Sequence, residues 1–255
     1  MNDLDLAREA ARRGAQVVRS LPLQTVSFKG SVNPVTDIDT ASQEQILAVL
    51  SEHRPDDAIL AEEQAGGART DGRLWLVDPL DGTVNFVHGI PHVGVSIALY
   101  EDSNPLVGVV IDVFREEEFL AVAGFGAWLA GRQLRVSSLD LDSSLSATGF
   151  PYDRRERAGA LGATVGNVLS RVQGLRRMGT ASLDLAWVAA GRFDVYWEVE
   201  LCPWDVAAGI LLVREAGGVV SCPDGSPATP FDSDFVVSNG VAHEAFRTLV
   251  APSMI

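Results

Sequence analysis

The sequence predicts an α/β protein in which helices cover the sheets, and three observations lead to this prediction. The chain has 255 residues, 47% of them hydrophobic and 21% charged, so it can bury a large core. Residues 93–130 form short apolar runs separated by turn residues, as in an antiparallel meander. After residue 140, strand-like and helix-like segments alternate, which indicates a sheet covered by helices. We therefore predict two α/β halves, residues 1–140 and 141–255.

Two helices are predicted near the start of the chain. Apolar residues at helical spacing predict an amphipathic helix over residues 4–21 and a second helix over residues 39–50, with Asp39 or Thr40 as its N-cap. Residues 24–34 predict a loop or a loosely paired hairpin between the two helices.

Short strands and further helices follow. Residues 58–61 and 74–77 are apolar runs that stop at acidic residues, so carboxylates are expected at the ends of two strands. The segments after residue 140 are predicted as strands at 145–149, 174–177, 193–197, near 219 and at 235–238, and as helices at 157–171, 182–190, 205–215 and 242–250.

The charge of the chain excludes some classes of partner. Thirty-four acidic against 20 basic residues give a formal charge of −14, which repels nucleic acid and anionic lipid. No apolar run approaches the roughly 18–20 residues of a membrane span, and the first residues, MNDLD, are acidic where a secretory signal is basic. We expect a cytoplasmic protein.

Cys202 and Cys222 fit neither a disulfide framework nor a zinc spacing, and we interpret them as ordinary thiols.

Acidic residues beside apolar segments are the most informative feature of the sequence. They occur in four places: Asp37 and Asp39, Glu62 and Glu63, Asp78 and Asp81, and Asp205. Asp78 and Asp81 leave a buried strand through a proline-stiffened turn, and Asp205 opens an apolar helix. Carboxylates beside large apolar residues are costly unless they are paired or bind a cation, and few basic residues lie nearby in the sequence. A hard divalent metal is therefore the expected counter-charge.

The ligand type selects the metal and indicates its partner. Oxygen ligands favour Mg²⁺, Mn²⁺ or Ca²⁺ over zinc, and Mg²⁺ commonly shares a carboxylate with a substrate phosphate. Gly82 and Thr83, directly after Asp81, add backbone N–H groups that can approach an anion. Together these residues predict a metal-bridged phosphate site.

Several motifs along the chain resemble those of one enzyme family. WLVDPLDGTVNFVHGIP at residues 75–91 resembles the first signature of the inositol monophosphatase family, and WDVAAG at residues 204–209 resembles the second. PVTDID at 34–39, AEE at 61–63 and GTASLDLA at 179–186 fit further elements of the family, in the same order. The resemblance covers essentially the whole chain.

This resemblance implies a fold, a reaction and a set of metal ligands. Members of the family are αβαβα sandwiches, usually homodimers, that hydrolyse phosphate monoesters with Mg²⁺ and are often sensitive to lithium. By position, the first metal is assigned to Glu62, Asp78 and the Leu80 carbonyl, and the second to Asp78, Asp81 and Asp205. A third, weaker Mg²⁺ is expected near Glu62, and Mn²⁺ is an alternative ion.

The resemblance also implies residues that act on the attacking water and the phosphate. Asp39 and Thr83 are expected to orient the water, and the hydroxyl proton of Thr83 is expected to pass to Asp39 or Glu62. The N–H groups of Gly82 and Thr83 are expected to hold the phosphate. Lys29 lies in a segment where the family has a mobile basic loop that approaches phosphate and metal.

Other residues concern the leaving group. Ala181 lies in the stretch before the substrate end of the site. Glu198 matches the acid that accepts a hydrogen bond from a sugar or cyclitol hydroxyl; the alternative is a glutamate on the surface of a strand. VNF after the Asp-Gly-Thr turn resembles the pattern of enzymes that act on inositol monophosphate.

The remaining motifs are interpreted as structural. GVSIA, which contains Ser96, misses the last glycine of the GxSxG elbow, so no serine nucleophile is expected. His88 and His92 are interpreted as hydrogen-bonded loop residues, and Arg176 and Arg177 as solvated or dimer-contact charges.

Alternatives to an inositol-1-phosphate phosphatase stay open at this point. The same scaffold accommodates histidinol-phosphate, fructose-1,6-bisphosphate and nucleotide 3′-phosphatases. A function of another class is a regulatory protein that keeps the fold and binds a partner such as RNA polymerase or RNA. The complete acidic set argues against a loss of catalysis, and the charge of −14 argues against direct binding of RNA.

Overall fold

The structure is a computed structural model that describes residues 1–23, 25–29, 33–64 and 71–251. In these residues the chain forms seven helices, which are α1 (Asp3–Ser20), α2 (Asp37–His53), α3 (Thr83–Val87), α4 (Ala158–Leu169), α5 (Ala181–Ala189), α6 (Pro203–Glu215) and α7 (His243–Val250). A two-stranded hairpin, β1 (Val26–Lys29) and β2 (Asn33–Thr36), joins α1 to α2.

A seven-stranded sheet occupies the first half of the chain. Its strands, in spatial order, are β3 (Ala58–Ala61), β4 (Arg73–Asp81), β5 (Gly94–Glu101), β6 (Asn104–Asp112), β7 (Glu117–Val122), β8 (Gly126–Leu129) and β9 (Arg132–Gln133). From β4 to β9 each strand pairs antiparallel with the next, which confirms the predicted meander, and β3 lies parallel to β4. The carboxyl ends of β3 and β4 therefore meet at the same edge of the sheet.

A five-stranded mixed sheet occupies the second half. Its strands are β10 (Leu145–Thr148), β11 (Gly174–Arg176), β12 (Val195–Glu198), β13 (Val219–Ser221) and β14 (Phe235–Ser238), in the spatial order β11-β10-β12-β14-β13. β10 lies parallel to β11 and β12, while β14 runs antiparallel to β12 and β13.

Side-chain alternation in the strands arranges these elements into five layers. In β4, Trp75 and Val77 pack in a core with α1 and α2, and Leu74 and Leu76 pack in a second core with α5 and α6. In β12, Tyr196 belongs to the second core, whereas the neighbouring Trp197 packs with α4 and α7 in a third. The layers are thus α1 and α2, the seven-stranded sheet, α5 and α6, the five-stranded sheet, and α4 and α7. This is the expected αβαβα sandwich.

The start of the second helix differs from the prediction. Asp39 and Thr40 are not its N-cap: Thr36 is, because its hydroxyl accepts hydrogen bonds from the N–H groups of Ile38 and Asp39 at 3.1 and 3.3 Å. The Asp39 carboxylate in turn accepts the Thr36 N–H at 2.8 Å, which completes a capping box. Asp39 is therefore held inside the first turn of α2.

The fourth strand also differs from the prediction. Residues 74–77 were expected to be followed by a turn, but β4 continues to Asp81 through a register shift between Asp78 and Asp81 against β5. Proline has no N–H to donate to a strand ladder, and the irregular pairing accommodates Pro79. Both acidic residues therefore lie within the strand rather than beyond it.

None of the helices that the structure describes combines the length and the apolar character needed to cross a lipid bilayer. Cys202 and Cys222 are half-buried and are not joined in a disulfide.

Candidate active site

Acidic residues from separate elements approach one another where β3 and β4 end. Glu62 directly follows β3, Asp78 and Asp81 belong to the last part of β4, and Asp205 lies in the first turn of α6. Asp78 is only 1% exposed, and its Oδ1 accepts the N–H of Leu80 at 3.0 Å. Burial raises the pKa of Asp78 well above its usual range, and the charges of Glu62, Asp81 and Asp205 raise it further. The four carboxylates therefore lie within electrostatic reach of one another.

Helix starts hold two of these carboxylates in place. Oδ2 of Asp81 accepts the N–H of Ser182 at 2.7 Å, in the first turn of α5. Oδ2 of Asp205 accepts the N–H of Cys202 at 2.7 Å. Burial raises the pKa of Asp81 to about 6, although the hydrogen bonds that it accepts from α5 lower this pKa. Burial, followed by the charge of Asp81, raises the pKa of Asp205 well above its usual range. Both acids therefore keep their proton to a higher pH than an exposed carboxylate does.

The chemistry of this cluster fits a hard cation. Within residues 1–23, 25–29, 33–64 and 71–251, no three Asp, Glu, His or Cys side chains converge closely enough to hold a metal as they stand. A divalent ion would therefore draw the carboxylates together and supply the counter-charge that burial denies them. The donors are oxygens, with the Leu80 carbonyl beside them, so the set suits Mg²⁺ rather than zinc.

Asp39 and Thr83 meet beside the cluster. The Thr83 hydroxyl lies 3.0 Å from Oδ1 of Asp39 and 3.2 Å from the Leu80 carbonyl. Oδ2 of Asp39 accepts both the N–H and the hydroxyl of Thr36. Burial raises the pKa of Asp39, although the bonds from Thr36 oppose this effect. The carboxylate is thus fixed on one side, and its other oxygen is aligned with a hydroxyl.

The turn after Asp81 requires glycine. Gly82 has a φ of 92°, and a Cβ atom there would lie 2.5 Å from the Thr180 hydroxyl and 3.1 Å from the His92 carbonyl. Thr180 donates its hydroxyl to that carbonyl at 2.9 Å, and Asn85 donates to it as well. The backbone of Gly82 and Thr83 is therefore packed tightly against the start of α5.

Glu198 lies at the other end of the cluster. It is half-buried, and the Tyr196 hydroxyl lies 2.5 Å from its Oε2. Burial raises the pKa of Glu198 to about 7, although the hydrogen bond from Tyr196 and the charge of Arg177 lower it. A Cβ on Gly149 would lie 1.9 Å from Oε1, so any larger residue at the end of this strand would displace the Glu198 carboxylate. This environment differs from that of a glutamate on the surface of a strand.

The other predicted substrate residues are placed as follows. Ala181 begins α5, and its N–H donates a hydrogen bond to Asp81. Lys29 is the last residue of β1, and residues 30–32 of the predicted loop lie outside the described residues. The expectation of a mobile basic loop therefore stays a prediction.

Sequence reasoning missed three residues near Glu198. Arg177 is exposed, as predicted, but its charge lowers the pKa of both Glu198 and Asp81, and its Cζ lies 5.9 Å from the Phe150 ring centroid. Tyr196 and Asp184 are buried; the Tyr196 hydroxyl donates to Glu198, and burial and the charge of Glu198 raise the pKa of Asp184. Apolar spacing gives no signal for any of the three; Asp184 lies within the GTASLDLA motif, which was the available clue.

Comparisons with known proteins agree with the geometry. A sequence profile of the inositol monophosphatase family matches residues 2–254. The chain is 40% identical over 262 residues to the Nus factor SuhB of Pseudomonas aeruginosa, covering 98% of this chain and 96% of that protein. It is 40% identical over 253 residues to the inositol-1-monophosphatase of Synechocystis, covering 97% and 88%.

A solved structure gives the same result. The fold is similar to that of an IMPase from Thermotoga maritima, with a TM-score of 0.90 and 33% identity, covering 99% of this chain and 98% of that one. Sequence profile, relatives and fold agree over the whole length of the chain. The chain belongs to the inositol monophosphatase family and is a phosphoric monoester hydrolase.

Proposed function

We propose that the protein hydrolyses inositol 1-phosphate in the cytoplasm, in a reaction that depends on Mg²⁺. The observation that carries this proposal is the hydrogen bond between Thr83 and Asp39 beside four further carboxylates, of which Asp78 is buried and the other three are half-buried. A hydroxyl aligned with a fixed carboxylate suits activation of water, and clustered carboxylates suit cations that neutralise a phosphate.

The metal ligands are proposed from the family resemblance, and the proximity of the carboxylates supports them. Glu62, Asp78 and the Leu80 carbonyl would hold one Mg²⁺, and Asp78, Asp81 and Asp205 a second, with a weaker third ion near Glu62. When bound, Mg²⁺ supplies positive charge that stabilises the phosphate in the transition state and makes the attacking water more acidic. Mn²⁺ has similar ligand preferences and is the expected substitute.

The side chains of the protein move the proton. Thr83 accepts a proton from the attacking water while its own hydroxyl proton passes to Oδ1 of Asp39 or to Glu62. The water oxygen forms a bond to phosphorus as the bond to the ester oxygen breaks, and the ester oxygen leaves with the electron pair and takes up a proton. The N–H groups of Gly82 and Thr83 hold phosphate oxygens, and Lys29 adds a positive charge beside them.

Glu198 and Ala181 are proposed to contact the leaving group. Glu198 would accept a hydrogen bond from a ring hydroxyl, which its half-buried carboxylate and its neighbour Arg177 support. The name of the Synechocystis relative supports inositol phosphate as the substrate. A homodimer and inhibition by lithium are proposed from the family resemblance alone.

The test is a panel of phosphate esters with Mg²⁺ and with excess chelator. Inositol 1-phosphate should give the highest kcat/KM, above fructose 1,6-bisphosphate, histidinol phosphate and a nucleotide 3′-phosphate, and chelator should abolish the release of phosphate. A higher value for another ester would reassign the substrate. Turnover in chelator would reject the dependence on metal.

The name Nus factor, carried by the relative from Pseudomonas aeruginosa, favours a regulatory role as a second candidate. The test is a pull-down with RNA polymerase, comparing the wild type with Asp78→Asn. Retention of the polymerase by both proteins would support a binding role that is separate from hydrolysis, and no retention by either would reject it.

A further inference from the structure

Asn85 is a buried amide in the short helix that follows the phosphate-binding turn. This helix, α3, has five residues and no side-chain hydrogen bond at its N-cap, Gly82. A helix of this length is not stable by itself in water, so its position depends on contacts with other elements. Asn85 is 6% exposed and is the one buried residue of α3, all of which the structure describes. A polar side chain therefore anchors this helix.

The amide of Asn85 joins segments that are distant in the sequence. Its Nδ2 donates to the carbonyl oxygens of His92 and Met178, both at 2.9 Å, and lies 3.3 Å from the Thr180 hydroxyl. His92 precedes β5, whereas Met178 and Thr180 precede α5 and lie 93 and 95 residues beyond Asn85. An amide nitrogen carries two hydrogens, so the two carbonyls use its full capacity to donate.

The carbonyl oxygen of His92 is the centre of this junction. It accepts from the Asn85 amide and from the Thr180 hydroxyl, each at 2.9 Å, so both of its lone pairs are used. A Cβ on Gly82 would lie 3.1 Å from this oxygen and 2.5 Å from the Thr180 hydroxyl, so the backbone of Gly82 lies against the same two oxygens. The turn before α3 is therefore held against the start of α5.

We propose that Asn85 is a positioning residue for the phosphate: its amide fixes the N–H groups of Gly82 and Thr83 relative to the start of α5. Without this amide two carbonyl oxygens lose a donor, and α3 loses its one buried side chain. A displacement of about 1 Å at a reacting group is enough to lower a rate about 100-fold. This inference rests on the proposed function, which assigns the phosphate to these N–H groups.

The experiment compares Asn85→Ala with Asn239→Ala as a matched control. Asn239 is 4% exposed, and its Nδ2 also donates to a carbonyl and a hydroxyl, those of Leu139 and Ser137, both at 2.9 Å. It follows β14, at the end of the five-stranded sheet opposite to Glu198. Both substitutions should lower the Tm, because each leaves a buried carbonyl without this donor.

Only the substitution of Asn85 should impair the reaction. At a temperature well below both Tm values, Asn85→Ala should lose about 10-fold or more in kcat/KM with inositol 1-phosphate and with p-nitrophenyl phosphate, because both esters present the same phosphate. Asn239→Ala should stay within about 3-fold of the wild type on both. Calorimetric titration with inorganic phosphate in Mg²⁺ should show weaker binding in Asn85→Ala alone.

Thr180→Val tests the same junction while the Asn85 amide stays in place. Valine keeps the shape of threonine but has no hydroxyl to donate to the His92 carbonyl, so kcat/KM should fall about 3-fold or more on both esters. If Asn85→Ala does not fold, this variant decides the proposal, and unchanged kinetics and phosphate binding in it would overturn the proposal.

The remaining outcomes are as follows. A folded Asn85→Ala with a lower Tm but wild-type kcat/KM and phosphate binding would mean that Asn85 is only structural, and a loss confined to inositol 1-phosphate would mean that it acts on the leaving group; either result would overturn the proposal. A wild type that hydrolyses p-nitrophenyl phosphate but not inositol 1-phosphate would reject the proposed substrate instead, and the comparison with p-nitrophenyl phosphate would still decide the role of Asn85.

Discussion

The Thr83 hydroxyl lies 3.0 Å from Oδ1 of Asp39, although 44 residues separate them in the sequence. One residue opens α3 and the other lies in the first turn of α2, and the capping box of α2 fixes the carboxylate. The hydroxyl therefore has a fixed carboxylate acceptor for its proton, nearer than the Leu80 carbonyl, while the hydroxyl oxygen can accept another proton.

Thr83→Ala removes this hydroxyl and leaves every carboxylate in place. We expect kcat to fall about 100-fold or more with a modest change in KM, because proton transfer is impaired while substrate binding is not. Thr83→Ser is the matched control and should stay within about 10-fold of the wild type. An unchanged kcat in the alanine variant would remove Thr83 from the proton path.

Asp78→Asn tests the shared metal ligand. The substitution keeps the shape of the side chain but removes the charge proposed to bridge two ions, so turnover should be lost at every Mg²⁺ concentration. Phosphate release and calorimetric titration with Mg²⁺ measure the two effects. The folded variant should melt no lower than the wild type in chelator, because the buried carboxylate has become neutral. Normal turnover would reject the assignment.

The metal-free protein should lose stability as the pH rises. Asp78, Asp81 and Asp205 all have raised pKa values, so the native state holds protons that the unfolded chain releases. For Asp81, with a pKa of about 6, the loss falls between about pH 4 and pH 6, and the other two acids extend it upward. Melting in chelator from pH 4.5 to 8 measures this loss, and Mg²⁺ should oppose it. Burial lowers the pKa of His92 to about 4, which acts in the opposite direction, so the comparison is with Asp78→Asn: a Tm difference between the two proteins that does not change with pH would contradict the raised pKa of Asp78.

Glu198→Gln tests the choice of substrate. A neutral amide replaces a charged acceptor, and a charge-assisted hydrogen bond contributes about 1.5–3 kcal/mol, so kcat/KM for inositol 1-phosphate should fall about 10- to 100-fold. p-Nitrophenyl phosphate should be nearly unaffected, because it offers Glu198 no hydroxyl. Equal losses on both esters, or none on either, would return Glu198 to a structural role.

Gly149→Ala should act on the same carboxylate from the strand beside it. The new Cβ would lie 1.9 Å from Oε1 of Glu198, so the side chain must move, and KM for inositol 1-phosphate should rise about 10-fold or more. Gly166→Ala in α4 is the matched control: no atom lies within 4 Å of its Cβ position, and alanine favours the helix by about 1 kcal/mol. Equal kinetics in the two variants would show that the space beside Glu198 is not critical.

Local sequence patterns were sufficient to select the acidic residues of the candidate site and to predict most of the helices and strands. The remaining features depend on tertiary contacts. The alternation of residues 93–130 was sufficient to predict the meander, because side chains in a half-buried strand repeat every two residues. The N-cap at Thr36 was missed because Asp39 also suits a cap, and only the reciprocal bonds distinguish the two. Arg177 had no local signal, because its effect on the pKa of Glu198 depends on residues that are brought together only by the fold.

The strand β4 belongs to two cores at once, because its alternate residues pack on opposite layers of the sandwich. Amide groups in such a strand exchange with solvent only when both layers open, so their exchange reports global rather than local unfolding. We therefore expect the acids at its end to be anchored to a slowly exchanging part of the molecule. Partial unfolding at the edges of the sheets would leave their spacing intact, and inactivation by heat should coincide with loss of the whole fold.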